Sequence, residues 1–133
     1  MTGEIEPLDP HLWFERIEMI SNGELQQIEN ALRHAGHLAQ LAPIAFRTHV
    51  GLSIAEAEFE ALLESGDFDA AARCLQPGVS YLEPQAQGLR VSVAIKSLLL
   101  ERTFEGRGET LASAILSAWT ASLLALRSAY RPN

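Results

Sequence analysis

The chain contains a single cysteine, Cys74, and cannot form an intramolecular disulfide bond. A secreted protein with one unpaired thiol is unusual, so this cysteine content favours a reducing compartment. The first ten residues carry three acidic side chains and no basic one, the opposite of the start of a secretory signal. These two features predict a cytoplasmic protein, and the arginine-rich, lysine-poor composition is typical of a GC-rich bacterial genome.

Basic side chains are scarce, with 10 Lys and Arg against 17 Asp and Glu and a net charge of −7. Nucleic-acid binding needs a dense basic stripe, so this composition predicts no nucleic-acid partner. The charge is also uneven. Residues 1–88 carry four basic and fourteen acidic side chains, whereas residues 89–133 carry six basic and three acidic ones. This polarity predicts attraction between the two parts of the chain or head-to-tail pairing between copies.

Residues 110–126 form an uncharged segment that is diluted by serine and threonine. It is shorter than the roughly 20 apolar residues that a membrane-spanning helix needs, so we predict a buried core helix and no membrane partner. Small residues recur along it at helical spacing and predict the close approach of another helix: Ala114, Ala118, Ala121 and Ala125.

Helix start and stop signals divide most of the chain. Asp9-Pro10 is a cap followed by proline at the first helical position, and residues 21–24 and 53–56 have capping-box spacing. Together with the apolar periodicity, these signals predict an all-α fold. We expect a compact bundle of about five to six helices in a single domain, residues 1–133, with a largely apolar and central C-terminal helix at 109–130.

Residues 89–96 fit two patterns. Leu89, Val91, Val93 and Ile95 alternate with polar or small residues as in a strand, but Val91, Ala94, Ile95 and Leu98 also follow a helical stripe. A lone strand has nothing to pair with, and no second segment is as strongly patterned. Helix is therefore preferred here, with a strand and an α+β fold as the alternative.

Residues 64–71, Glu-Ser-Gly-Asp-Phe-Asp-Ala-Ala, are similar to the turn of a tetratricopeptide repeat. The resemblance covers about a quarter of the chain, at 51–84, and is not repeated. It implies a helical hairpin with Gly66-Asp67 at its corner and carries over no binding residues.

Acidic side chains are concentrated within fourteen residues of this hairpin. Glu56, Glu60 and Glu64 recur every four residues and form one ridge on the predicted helix. Its simplest interpretation is a solvated face. The functional interpretation is a surface for a basic protein partner, formed by five carboxylates: Glu56, Glu60, Glu64, Asp67 and Asp69. A protein surface that mimics DNA is a further alternative.

No catalytic residue set is evident. His34 and His37 lie on one predicted helix without further metal-ligand spacing, and Cys74 lies in a short apolar helix typical of a packed thiol. The chain also lacks a nucleophile elbow, a phosphate-binding glycine loop and a dinucleotide motif. We predict no catalytic residue, no metal ligand and no cofactor.

These observations favour a non-catalytic protein-interaction module that acts as a homo-oligomer, such as an adaptor, a regulator or a chaperone-like binder. The alternative is a small-molecule sensor or a small enzyme with a pocket in the bundle. That alternative requires Trp13, His49, Glu58 and Trp119 to meet at a cavity.

Overall fold

The computed structural model describes residues 9–23, 27–46, 50–75, 80–87, 90–97 and 101–129. Within these ranges lie five α-helices, one 3-10 turn at Ile44–Phe46, and three strands. In chain order the helices and strands are α1 (Pro10–Ser21), α2 (Ile28–Gln40), α3 (Glu56–Glu64), α4 (Phe68–Arg73), β1 (Ser80–Gln87), β2 (Arg90–Ser97), β3 (Arg102–Gly108) and α5 (Leu111–Ala129). The fold is mainly helical, as predicted, but it is α+β rather than all-α.

The three strands form an antiparallel sheet in the order β1-β2-β3. On the central strand, Val93 lies opposite Pro84 of β1 and Gly106 of β3, and Ile95 lies opposite Phe104. The preference for a helix at 89–96 was therefore wrong, and the strand alternative is the one observed. Val93 and Ile95 are buried while Lys96 is exposed, as the alternating pattern indicates for a sheet covered on one face.

The two partner strands, β1 and β3, were not predicted because each lacks the usual alternation of apolar and polar residues. In β3 the buried positions include Phe104 and Gly106, so a glycine stands where a large apolar side chain would mark the strand. In β1 the proline Pro84 argues against a strand unless the strand lies at an edge.

Helix α5 is the centre of the fold. It packs against β2 and β3 on one side, and it also contacts α1 and α4. Trp119 and Leu123 are completely buried. The prediction of a largely apolar, central C-terminal helix is confirmed. Among the described residues, the segment Leu111–Ser128 is also long and apolar enough to cross a membrane, with 56% of it buried inside the fold.

A strand, β3, packs against small residues of α5, where the sequence predicted another helix. A Cβ atom at Gly106 would overlap the backbone of Ala114 and Ala118, and one at Gly108 would overlap Ser113. Strand β3 therefore lies directly against the backbone of α5. This contact requires glycine on the strand and small residues on the helix.

Helix α1 begins as predicted. The Asp9 carboxylate accepts hydrogen bonds from the backbone N–H groups of His11 and Leu12, at 3.1 and 3.4 Å, and Pro10 is the first helical residue. The buried Trp13 packs against Phe14 and Phe46, with ring centroids 5.1 and 5.7 Å away.

The two predicted capping boxes are not the starts of helices. Ser21 is still part of α1, Glu24 lies outside the described residues, and α2 begins only at Ile28. Helix α3 begins at Glu56 without a side-chain cap, because its N-cap residue is Ala55, and the Ser53 N–H donates to the Cys74 carbonyl at 3.0 Å.

The close contact between β3 and α5 predicts the effect of Gly106→Ala. The added methyl group has to displace the α5 backbone, so we expect the free energy of unfolding to fall by about 1–3 kcal/mol in chemical denaturation. Gly51→Ala is the matched control, because a Cβ atom there meets no atom within 4 Å. Equal stability of the two variants would contradict the proposed packing.

Candidate interaction surface

The acidic residues lie on a hairpin of α3 and α4. Gly66 makes the corner with φ +82°, and the Asp67 carboxylate accepts a hydrogen bond from the Ala70 N–H at 3.3 Å at the start of α4. Phe59 and Leu63 of α3 are buried and attach the helix to the core. The hairpin predicted from the tetratricopeptide-like turn is therefore present, although α4 has only six residues.

Glu60 is held in an ion pair that joins two helices. Its Oε1 accepts a hydrogen bond from Nε of Arg33 on α2 at 2.7 Å, and Arg33 also contacts Glu29 at 3.1 Å. The hydrogen bond from Arg33 holds the pKa of Glu60 below its usual value of 4.5. In turn the two carboxylates raise the pKa of Arg33. The middle carboxylate of the predicted ridge thus fixes α3 to α2.

Asp69 contacts the amino end of α5. Its Oδ1 accepts a hydrogen bond from the Ala112 N–H at 3.0 Å. The first N–H groups of a helix have no partner within it, and the helix dipole favours a negative charge there. Asp69 therefore connects the hairpin to the central helix, a role that its exposed position in the sequence pattern did not indicate.

Three carboxylates of α3 are exposed and form no hydrogen bond or ion pair with any described residue: Glu56, Glu58 and Glu64. We call these three side chains the α3 acidic surface. Glu56 and Glu64 lie one turn on either side of Glu60, as the ridge predicted, while Glu58 projects from another part of the exposed side.

The residues of the predicted ligand pocket differ in their exposure. Trp13 and Trp119 are completely buried, whereas Glu58 is exposed on α3, and His49 lies outside the described residues. The exposed position of Glu58 does not support the predicted pocket, which stays a prediction. Glu58 lies beside Ala57 on the exposed side of α3, whereas Phe59 takes the buried position. The Glu58 carboxylate therefore faces water instead of the core.

The two indole groups differ in their polar contacts. Nε1 of Trp13 donates to the Leu38 carbonyl at 2.8 Å and links α1 to α2. Nε1 of Trp119 is buried and has no hydrogen-bond partner in the described part of the chain.

A small cleft of about 180 Å³ does lie beside the hairpin, between the start of α2 and the start of α5. It is lined by Ile28, Gly66, Asp67, Phe68, Asp69, Thr110 and Ala112. Sites for drug-sized ligands usually measure about 300–1,000 Å³, so this cleft is small for an organic ligand. It contains two predicted partner-binding residues but none of the four residues predicted for the pocket.

His34 is partly buried on α2, and its Nε2 atom has no hydrogen-bond partner in the described structure. His37, three residues later, is exposed. Burial lowers the pKa of His34 from its usual value of 6.5, and the charges of Arg16 and His37 lower it further. Among the described residues, no group of three or more His, Cys, Asp or Glu side chains could hold a metal ion.

Cys74 is buried at the end of α4, and its thiol donates a hydrogen bond to the Ala70 carbonyl at 3.3 Å. This environment is typical of a packed structural thiol.

No protein-family model, no curated protein and no solved structure matches this chain. Its function is therefore inferred from the residues themselves.

The environment of His34 predicts a loss of stability in mild acid. Its pKa is lower in the folded state, so the unfolded state binds the proton more readily, and stability falls as the pH drops below 6.5. We expect the free energy of unfolding to decrease between about pH 7 and pH 5, and His34→Gln to reduce that slope. Protonation of Glu60 lowers the free energy of unfolding further, but only as the pH falls below its usual pKa of 4.5.

Denaturant unfolding at several pH values measures this slope. His11→Gln is the control, because His11 is exposed on α1. A slope that is the same in wild type and His34→Gln would contradict the assignment to His34.

Proposed function

We propose that this protein is a non-catalytic protein-interaction module, an adaptor, regulator or chaperone-like binder, whose α3 acidic surface binds a basic patch on a protein partner. The observation that carries this proposal is the exposure of Glu56, Glu58 and Glu64 without a counter-ion among the described residues. The α3–α4 hairpin is thus a rigidly placed source of negative charge.

The neighbouring acidic residues support the same proposal in a different way. Glu60 and Asp69 fix the hairpin to α2 and α5, and Asp67 starts α4. Because these three carboxylates are already engaged, they position the surface, and the exposed ones contact the partner. A preorganised surface loses less conformational entropy on binding than a mobile one.

Exposed charges act mainly on association rate and on the choice of partner. Opposite charges steer two proteins together, and salt screens this attraction over about 8 Å at physiological ionic strength. Binding at the α3 acidic surface is therefore expected to be fast and to weaken as salt is added. The alternative of a small-molecule sensor or enzyme has less support, because Glu58 lies apart from the buried tryptophans.

The test removes the three charges without changing side-chain size, in the triple variant Glu56→Gln, Glu58→Gln and Glu64→Gln. Each exposed ion pair contributes roughly 0.2–1 kcal/mol, so the loss of three should lower the affinity for the basic partner recovered from the source cell by roughly 3- to 140-fold. Titration calorimetry at low and high salt measures the change.

The matched control removes three other exposed carboxylates, in the variant Glu15→Gln, Glu101→Gln and Glu109→Gln. It has the same net charge as the test variant, so a specific surface predicts near-wild-type binding. An equal loss of affinity in the two variants would show that overall charge, not the α3 acidic surface, determines binding. Undiminished affinity in the test variant would refute the α3 acidic surface.

We also propose that the module is a homodimer. Among the described residues, one ion pair joins the acidic early part of the chain to the basic later part, between Glu18 of α1 and Arg127 of α5 at 2.7 Å. The basic side chains of Lys96 and Arg107 on the sheet are exposed and form no ion pair with described residues. They remain available to a second copy.

Sedimentation equilibrium over a concentration series tests the homodimer. We expect a mass that approaches twice 14.6 kDa as concentration rises. A mass that stays at the monomer value across the series would refute the homodimer and leave the α3 acidic surface unaffected.

A further inference from the structure

The sheet has two edges within the described structure, β1 and β3, since each of these strands pairs only with β2. Residues 102–108 of β3 form no backbone hydrogen bond with any described residue outside the sheet. An edge strand presents unpaired N–H and C=O groups, which form a template for another strand.

The two edges differ in their ability to accept that strand. Pro84 lies in the middle of β1, where it removes one N–H group and blunts the edge. Strand β3 contains no proline. Its exposed positions include Glu105 and Arg107, two residues of opposite charge on the same side of the sheet. Among the described residues nothing pairs with the β3 edge, and Glu105 and Arg107 give it two opposite charges.

We propose that β3 pairs antiparallel with β3 of a second copy, about a two-fold axis that passes through Gly106. This assignment rests on the proposed homodimer and specifies its interface. In this register Glu105 of each copy lies opposite Arg107 of the other, which makes two cross-strand ion pairs. Phe104 of each copy lies opposite Gly108, on the face of the sheet that α5 covers.

Neighbouring registers are less favourable. A shift that centres the pair on Glu105 places the two Glu105 carboxylates opposite each other, and like charges at that position are destabilising. A shift that centres it on Phe104 places Glu105 opposite Thr103 and leaves Arg107 beyond the end of the partner strand. The charge pattern of β3 therefore selects the register centred on Gly106.

This pairing extends the three-stranded sheet into a continuous sheet of six strands. A two-fold axis between antiparallel strands runs perpendicular to the sheet, so both copies of α5 lie on the same face. The α3 acidic surface of each copy is separate from the paired strands and stays available to a partner, so the module becomes bivalent.

The test exchanges the two charges, alone and together. Glu105→Arg places arginine opposite Arg107, and Arg107→Glu places glutamate opposite Glu105, so each single variant should raise the dimer dissociation constant by roughly tenfold. The double variant Glu105→Arg, Arg107→Glu restores opposite charges and should dimerise like wild type. An equal mixture of the two single variants should form heterodimers, because each supplies the charge that the other lacks.

Sedimentation equilibrium measures wild type, the two single variants, the double variant and the mixture, and circular dichroism checks that each variant is folded. Loss in both single variants with recovery in the double variant and in the mixture supports the β3 interface and its register. A wild-type dimer that neither single variant weakens would overturn the β3 interface while the homodimer stands. Loss that is not recovered by the double variant would overturn the register centred on Gly106, and a wild-type monomer would overturn the homodimer itself.

Discussion

The structure depends on the direct contact between strand β3 and helix α5. Gly106 lies against the backbone of Ala114 and Ala118, so the sheet approaches the helix more closely than ordinary side chains permit. The remaining sides of α5 pack against the helices α1 and α4. Trp119 and Leu123 of α5 are completely buried. One helix thus supplies the core for the sheet and for the helices, and a short strand with few large side chains is enough to cover it.

Elements with a local sequence signal could be predicted from the sequence. A strand that lacks the usual large apolar side chains could not. The cap at Asp9, the corner at Gly66 and the apolar periodicity of α5 each have a local physical cause, and each was found. Strand β3 was missed because Gly106 occupies a buried position without contributing a hydrophobic side chain. Helix was then preferred at 89–96, since a strand needs a partner that the pattern did not reveal.

The acidic cluster shows a similar limit for the candidate site. Spacing identified the ridge on α3, but it could not show that Arg33, some 27 positions earlier in the chain, neutralises Glu60. Nor could it show that Asp69 reaches the start of α5. Both contacts join residues far apart in sequence, which only the fold brings together. The spacing predicted one acidic surface. In the folded protein some of these carboxylates hold the hairpin in place, and the others face water.

The position of α5 in the chain order has a consequence for biosynthesis. A ribosome releases α1 to α4 and the three strands before the helix on which α1, α4, β2 and β3 all pack. Until α5 emerges, the apolar faces of those earlier elements have no surface to bury against, and partly made chains of this kind expose hydrophobic groups to their neighbours. Completion of this core therefore waits for α5, and the nascent chain is most exposed to chaperones and to aggregation just before α5 is released.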